Sequence, residues 1–265
     1  MSKLQLEKCR VFITNDDGID AAGIARLEKA AREHCDDVWV VAPAGNQSSC
    51  SRRITQHQKV ICRQLGERRY AVEGTPADCS IVALNGLIPG RKPDLILSGV
   101  NNGANLGEDL ALSGTVGACL QAMEQGIPGI AFSQVVDKTI SNEVSWHCSD
   151  SHLAILLPQL VAMLDDACPT LNVNFPPLQQ QQNARGVKVV PSGRRHTPIS
   201  LQGVKHNKDE THFYYPTLRQ DKPGNAGSDL EQLYDGYITV TPIQADLTRH
   251  SSLLSLNGKV TLTRH

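Results

Sequence analysis

Short apolar runs alternate with amphipathic segments over the first half of the chain, and this alternation constrains the fold more than any other feature. The runs at 9–14, 37–43, 93–99 and 127–133 are dominated by apolar residues, as expected for strands that are buried on both faces. The segments between them include stretches with apolar residues at helical spacing. Strands that alternate with helices in this way predict an α/β fold with a mostly parallel sheet.

The same patterns predict further elements along the chain. Helices are predicted at 22–34, 75–88, 115–126 and 152–167, the last with a kink at Pro158. Further strands are predicted at 57–65, 68–74, 171–177 and 236–242, the last of alternating type, and a surface turn at 179–186. The polar residues 192–235 show little helical period, so we predict an arm or hairpin that extends over the core or a neighbouring subunit. We therefore divide the chain into an α/β core at 1–191 and a region at 192–265 that holds the polar arm, the final strand and the C-terminal tail.

Composition limits the classes of function that the chain can have. It has 265 residues, 20% of them charged, and a formal net charge of −1, which provides no broad basic field for nucleic acid or for acidic membranes. The N-terminal segment MSKLQLEKCR is charged where a signal peptide would be apolar, and no run reaches the length of a membrane span. We therefore predict a cytoplasmic protein. Its eight cysteines form no CxxC pair, which predicts free thiols rather than disulfides or a structural zinc site.

Two adjacent acidic residues, Asp16 and Asp17, follow the first buried strand and precede Gly18. In an open α/β sheet, ligands bind at the carboxyl ends of the strands. Two neighbouring carboxylates repel each other, and a divalent cation relieves this repulsion. The alternative is that one aspartate caps the next helix while the other is solvated. At this point of the sequence, metal binding and capping are both open.

A loop rich in glycine and asparagine follows the strand at 93–99. Asn101, Asn102 and Asn105 supply amide oxygens there, although asparagine and glycine are also common in ordinary turns. The residues Ser-Gly-Thr at 113–115 then begin an apolar helix, whose free amides and hydroxyl groups suit an anion. A plain N-cap by Ser113 is the alternative.

A third polar loop, AGNQSSCSRR at 44–53, follows the second strand. Ser48 or Ser49 could complete the shell of a cation there, and Arg52 or Arg53 could meet phosphate; an ordinary solvated connection is the alternative. Hard oxygen ligands beside an anion site at a helix start together predict a magnesium- or manganese-assisted reaction at phosphate.

Several of these segments, in this order, resemble the SurE family of survival proteins, which are metal-dependent 5′-nucleotidases. The motifs are TNDDG, VVAP followed by NQS, GTPADC, SGVNNGANLG and SGTVGA, with LNVNFP, SGRRH and DGYITVTPIQADLTRH further along. The resemblance implies a Rossmann-like three-layer α/β/α fold with a C-terminal extended arm or hairpin. It also implies hydrolysis of nucleoside monophosphates, and in some members short polyphosphate, by a homodimer or homotetramer that exchanges C-terminal segments.

The resemblance further implies roles for individual residues. One divalent cation per subunit, Mg²⁺ or Mn²⁺, would be bound by Asp16, Asp17, Ser48 and Asn101. The phosphate site would be lined by Asn105, Ser113, Gly114 and Thr115. Asp246 and His250 match the aspartate and histidine of the DLTxH stretch, and His250 resembles a residue implicated in catalysis.

From these implied roles we expect Asp16 to orient an attacking water and His250 to protonate the leaving ribose oxygen. Direct attack on phosphorus by the carboxylate of Asp16 is the alternative. Taken without the resemblance, His250 is a surface histidine in a terminal tail. Two departures from the family pattern bear on nucleotide specificity, since Ser49 stands where the family usually has glycine and Leu112 stands where tyrosine commonly precedes SGTV.

Two other classes of protein compete with this interpretation. Aspartyl-phosphate phosphatases have two aspartates separated by one residue, whereas those at 16 and 17 are adjacent. A non-catalytic module that senses a nucleotide or a metal without turning it over stays open as the alternative.

Overall fold

The computed structural model describes residues 4–136, 144–195, 201, 203–207, 209–214 and 224–256. The strands are β1 (Val11–Thr14), β2 (Val38–Pro43), β3 (Ile61–Gly66), β4 (Arg69–Glu73), β5 (Leu95–Asn102), β6 (Gly129–Gln134), β7 (Thr170–Phe175), β8 (Val187–Val189), β9 (Gly203–His206), β10 (Thr211–Tyr214) and β11 (Ile238–Pro242). Nine of them form one sheet in the order β3-β4-β2-β1-β5-β6-β7-β11-β8, while β9 and β10 pair as a separate antiparallel hairpin. The large sheet is parallel except at the pairs β3–β4 and β7–β11.

Helices cover both faces of this sheet. They are α1 (Ala22–Arg32), α2 (Pro76–Val82), α3 (Gly114–Met123), α4 (His147–Val161), α5 (Asp229–Tyr234) and α6 (His250–Leu256). The helices α1 and α4 pack on one face and α2 and α3 on the other, which confirms the predicted α/β fold with a mostly parallel sheet between helices. No helix of the described residues is long and apolar enough to cross a membrane.

The central strand β1 shows why the strands in the first half of the chain could be predicted from the sequence. All four of its residues are buried, with Val11 and Ile13 facing the α1–α4 layer and Phe12 facing the α2–α3 layer. Neighbouring parallel strands on both sides, β2 and β5, complete its hydrogen bonding. A strand enclosed in this way must be apolar on both faces, which explains the continuous run.

Two predicted helices have other boundaries than the sequence suggested. The helix predicted at 75–88 corresponds to α2, which ends at Val82. The turn that follows contains two residues with non-helical backbone angles, Asn85 and Gly86. The predicted helix at 152–167 is α4, which begins five residues earlier and ends at Val161. It continues through Pro158, whose missing N–H leaves the carbonyl of Ala154 free, and Nε2 of His34 lies 2.8 Å from that oxygen.

The predictions for the C-terminal third were partly wrong. The exposed β9–β10 hairpin agrees with a hairpin in the polar region, but that region also contains α5, whose Leu230 and Leu233 are fully buried. The strand β8 was not predicted. It lies at the sheet edge beside β11. The strand β11 is buried from Ile238 to Thr241 rather than on alternate residues, since Ile238 and Val240 face the core beneath α1 and α4 and α5 also packs against the strand.

The contact of α1 with β5 depends on Gly23. A Cβ atom added at Gly23 would lie 1.8 Å from the carbonyl oxygen of Val100, one residue before Asn101. We expect Gly23→Ala to lower the free energy of unfolding by about 2 kcal/mol or more, because the steric clash outweighs the better helix propensity of alanine. Urea unfolding followed by circular dichroism measures this.

Gly66→Ala is the matched control, since the nearest atom to an added Cβ there is 3.8 Å away. An equal stability of the two variants would contradict the close contact between α1 and β5.

Candidate metal and phosphate site

The site lies at the carboxyl ends of β1 and β5, the neighbouring strands from which the chain turns to opposite sides of the sheet. Asp16 and Asp17 follow β1, and the backbone N–H of Asn102 at the end of β5 donates to Oδ2 of Asp17 over 2.9 Å. The side chain of Asn15 closes the turn by bonding both the N–H and the carbonyl of Gly18, whose φ is +106°. The turn fixes the two carboxylates at the point where open α/β sheets bind ligands.

Asp16 is buried to 3% exposure, and its Oδ1 accepts a hydrogen bond of 2.7 Å from the hydroxyl of Thr115. Burial raises the pKa of Asp16 from 3.8 to about 6, opposed by the hydrogen bond from Thr115 and increased by the charge of Asp17. Burial also raises the pKa of Asp17, opposed by the hydrogen bond from Asn102. Two acids with raised pKa values at one place indicate negative charge that the surrounding protein does not neutralise.

A divalent cation fits this arrangement. Within the described ranges, neither Asp16 nor Asp17 forms an ion pair with a lysine, arginine or histidine. The described residues also contain no group of three or more histidine, cysteine or acidic side chains that could hold a metal ion. The available donors are therefore two carboxylates with neutral oxygens, a set that suits Mg²⁺ or Mn²⁺ better than Zn²⁺.

Asn101 lies at the end of β5, beside a local irregularity of the strand. The pairing of β5 with β6 shifts between Ser98 and Asn101, and Gly99 has a φ of +128°. The side-chain nitrogen of Asn101 donates to the carbonyl of Gly103 over 2.9 Å. This donor role leaves the amide oxygen of Asn101 as the atom that suits a cation.

Ser48 belongs to a loop that contacts the backbone of Asp16. The N–H of Gln47 donates to the carbonyl oxygen of Asp16 over 2.7 Å, and the N–H of Ser48 donates to the side chain of Asn46. Ser48 itself is exposed. The next residue, Ser49, has a φ of +60°, a conformation that glycine adopts without strain.

The same loop continues onto the start of α3. Ser51 donates from its N–H to the carbonyl of Leu112 and from its hydroxyl to the carbonyl of Ala111. A Cβ added at Gly114 would lie 2.9 Å from both Cβ of Asp16 and Sγ of Cys50. Glycine at this position therefore allows β1, the loop and the helix start to meet.

Ser113 and Thr115 have defined partners at this helix start. The hydroxyl of Ser113 accepts from the N–H of Val116, so the N-cap that was the alternative interpretation is present. Thr115 is fully buried and donates to Asp16, as described above. The candidate phosphate residues and the candidate metal residues thus touch through one hydrogen bond.

Asn105 is held from the neighbouring strands. Its side-chain nitrogen donates to the hydroxyl of Ser133 over 2.8 Å, and its carbonyl accepts from the side chains of Asn172 and Asn174 over 2.8 and 3.0 Å. These two supporting residues were not predicted. Their spacing of two on β7 places them on one face of the strand, a signal that was available in the motif LNVNFP.

Asp246 and His250 lie apart from this group in the described structure. Their side chains approach to 2.6 Å between Oδ2 and Nε2, and both are exposed. Hydrogen bonds from Thr248, together with the neighbouring His250, lower the pKa of Asp246 to about 2. Among the described residues, no hydrogen bond joins this pair to Asp16, Asn105 or the start of α3.

Arg52, one of the two arginines predicted as possible phosphate contacts, has another partner, and a Cys-x5-Arg spacing in the chain forms no phosphate loop. Arg52 forms an ion pair with Glu124 at the far end of α3, so it is directed away from the predicted phosphate contact. Cys62 and Arg68 have the Cys-x5-Arg spacing of cysteine phosphatases, but they lie on a β-hairpin rather than a phosphate loop, and Arg68 pairs with Asp37. Burial also raises the pKa of the Cys62 thiol, opposite to what a thiolate nucleophile requires.

Comparison with known proteins identifies the family. The family model described as survival protein SurE matches residues 11–198. A protein named 5′-nucleotidase SurE from Erythrobacter litoralis is 39% identical over 251 residues, which cover 94% of this chain and 98% of the relative. A protein of that name from Caulobacter vibrioides is 38% identical over 252 residues, which cover 94% of this chain and 95% of the relative. The crystal structure of the SurE protein from Aquifex aeolicus has a TM-score of 0.77 at 28% identity, covering 93% of this chain and 97% of that one. The chain therefore belongs to the SurE family.

Proposed function

We propose that this protein is a 5′-nucleotidase that releases phosphate from nucleoside 5′-monophosphates, and from short polyphosphate as a further substrate, with a divalent cation at Asp16 and Asp17. The observation that carries the proposal is a pair of adjacent carboxylates, that of Asp16 buried and that of Asp17 half-buried, without a cationic partner in the described chain and joined by Thr115 to the start of α3. Its relatives at 38–39% identity are named 5′-nucleotidases, which supports the same reaction.

In this proposal the cation is bound by Asp16, Asp17, Ser48 and Asn101. When bound, the cation supplies positive charge to the phosphoryl group and lowers the pKa of a coordinated water. The carboxylate oxygens and the neutral oxygens give it a hard, partly open shell, as Mg²⁺ and Mn²⁺ prefer.

The other residues act on the phosphate and its leaving group. Asn105, Ser113, Gly114 and Thr115 bind the phosphoryl oxygens through amides and hydroxyl groups at the start of α3. Asp16 orients the water that attacks phosphorus. His250 protonates the leaving ribose oxygen, with Asp246 orienting its ring.

Residues 246–250 reach the reacting atoms either within one chain or, as the family resemblance implies, from the C-terminal segment of a neighbouring copy. We further propose a homodimer or homotetramer, one Mg²⁺ or Mn²⁺ per subunit, and a cytoplasmic location. Size-exclusion chromatography with light scattering tests the oligomeric state. Metal analysis of the purified protein tests the number and identity of the bound cations.

A sensor that binds nucleotide without turnover is the competing function. Incubation with p-nitrophenyl phosphate and with a panel of nucleoside monophosphates, with and without Mn²⁺, separates the two. Metal-dependent phosphate release supports the nucleotidase, whereas tight nucleotide binding without release supports the sensor.

Replacement of Asp16 tests its role directly. Asp16→Asn should lower the Mn²⁺-dependent hydrolysis of adenosine monophosphate by about 100-fold or more, because a charged cation ligand is lost. The amide oxygen can still accept from Thr115, so we expect the fold to persist in circular dichroism. Asp20→Asn, an exposed aspartate four residues later, is the control and should retain the wild-type rate. Full activity of Asp16→Asn would refute the metal-centred mechanism.

The pKa of Asp16 predicts how pH affects the metal-free protein. The folded-state pKa is raised from 3.8 to about 6, so this group favours folding below pH 3.8 and that contribution is lost as pH rises through about 6. The loss amounts to about 3 kcal/mol. Thermal unfolding in a chelator should therefore show a weaker loss of stability over this pH range for Asp16→Asn than for the wild type.

Mn²⁺ should reverse this loss. Because protons compete with the cation for the carboxylates, Mn²⁺ should raise the Tm more at about pH 7.5 than at about pH 5. An equal shift at both values would contradict cation binding by Asp16 and Asp17.

Two substrates with different leaving groups test His250. His250→Ala should lower hydrolysis of adenosine monophosphate by about 100-fold or more, since the ribose oxygen needs a proton. Hydrolysis of p-nitrophenyl phosphate should fall less than about tenfold, because p-nitrophenolate leaves without one. The control is His212→Ala, which removes another exposed histidine that lies 2.9 Å from a carboxylate, that of Glu210. Equal losses on the two substrates would exclude His250 as the acid.

A further inference from the structure

We propose that Asp229 is a positioning residue for the phosphate side of this site, and that it holds the segment between Asn105 and Ser113 through the backbone N–H of Gly107. The inference rests on the proposed function, because it assigns to Asp229 a part in that reaction. Asp229 lies at the start of α5, well over a hundred residues along the chain from the segment that it holds.

Asp229 is fully buried, and its carboxylate joins three backbone segments. Oδ2 accepts from the N–H of Gly107 over 3.0 Å, while Oδ1 accepts from Gly193 over 2.6 Å and from Leu230 over 2.7 Å. A buried carboxylate costs free energy unless such hydrogen bonds compensate it. The arrangement therefore fixes the distance between the start of α5, the segment at 193 and the loop at 107.

The backbone around this carboxylate leaves no room for adjustment. Gly107 has a φ of +56°, and a Cβ added there would lie 3.0 Å from the carbonyl oxygen of Gly193. A Cβ added at Gly193 would in turn lie 2.9 Å from Oδ1 of Asp229. Contacts this close transmit a displacement of Asp229 to Gly107 rather than absorb it.

Gly107 lies in the stretch of chain that links the two parts of the proposed phosphate site. Asn105 precedes it by two residues, and the 3₁₀ turn Gly107–Ala111 leads directly to Ser113. Other contacts also hold the turn, among them an ion pair of 2.5 Å between Arg195 and Asp109 and hydrogen bonds from the N–H of Arg195 to Glu108 and from the hydroxyl of Ser192 to the carbonyl of Gly107. The start of the turn depends on Asp229, and small displacements of groups that orient a substrate have large effects on rate.

Asp229→Asn is the decisive variant. It preserves the size of the side chain, but its NH₂ group must face either the N–H of Gly107 or those of Gly193 and Leu230, so at least one hydrogen bond becomes a repulsive contact. We expect kcat/KM for adenosine monophosphate to fall about 10- to 100-fold and the inhibition constant of inorganic phosphate to rise about tenfold. The affinity for Mn²⁺, measured by calorimetry without substrate, should be unchanged, since none of the proposed cation ligands contacts Asp229.

Leu233→Ala is the matched control. Leu233 is fully buried on the same helix and shares an apolar cluster with Leu106 of the loop, so its truncation removes packing between α5 and the loop but no hydrogen bond. Both variants are assayed well below their Tm values. If they lose activity and phosphate affinity equally, Asp229 has a merely structural role and the inference is overturned.

A second variant covers the case in which Asp229→Asn does not fold. Gly193→Ala retains the carboxylate but places a methyl group against it, and it should also raise the phosphate inhibition constant without changing Mn²⁺ affinity. Unchanged phosphate inhibition would overturn the inference.

A wild-type protein without metal-dependent hydrolysis would instead refute the proposed function, and unaltered phosphate binding in Asp229→Asn would refute the positioning role alone.

Discussion

The adjacent carboxylates of Asp16 and Asp17 are the constraint on which the rest of the site depends. They lie at the end of a strand that is enclosed on both faces, so water cannot solvate Asp16 as it would on the surface. The hydroxyl of Thr115 and the N–H of Asn102 each supply a hydrogen bond, and the pKa values of both acids nevertheless stay raised. The described protein therefore stabilises the charged pair incompletely, and a divalent cation is the group that would complete it.

This constraint explains why the surrounding contacts are made by backbone rather than by long side chains. The loop after β2 touches Asp16 through the N–H of Gln47, and the start of α3 reaches it across Gly114. The helix α1 approaches β5 across Gly23, at the carbonyl of Val100, one residue before Asn101. A lysine or arginine in any of these places would neutralise the acids directly and would leave no reason to bind a metal. Small residues keep the segments close while leaving the charge unpaired.

The sequence predicted the parts of the molecule that follow from local pattern. Apolar runs enclosed by helices identified β1, β2, β5 and β6, and the positions after the strand ends identified the acidic pair. The link between Thr115 and Asp16 spans 99 residues, and no local pattern encodes which hydroxyl meets which carboxylate.

The helix α5 was missed for a related reason. It has six residues, and short helices are stable mainly through tertiary packing, here of Leu230 and Leu233. The alternating burial expected of β11 was not found because α5, the helix that was missed, packs against this strand while Ile238 and Val240 face the core beneath α1 and α4. The side chain of Arg52 is directed away from the phosphate site by Glu124, a partner 72 residues further along the chain that no local pattern identifies.

The site divides into a rigid interior and an exposed rim, and this division bears on which part of a substrate the protein can discriminate. Asp16, Asn105 and Thr115 are buried and each has hydrogen-bonded neighbours, so the groups proposed to meet metal and phosphate have little freedom. Ser49 and Leu112, which depart from the family pattern, are both exposed. Because differences among nucleosides lie at the end of the substrate remote from phosphate, the rim rather than the interior must recognise them. An exposed leucine offers an apolar contact that every base can share, without the hydrogen bond that would select one of them.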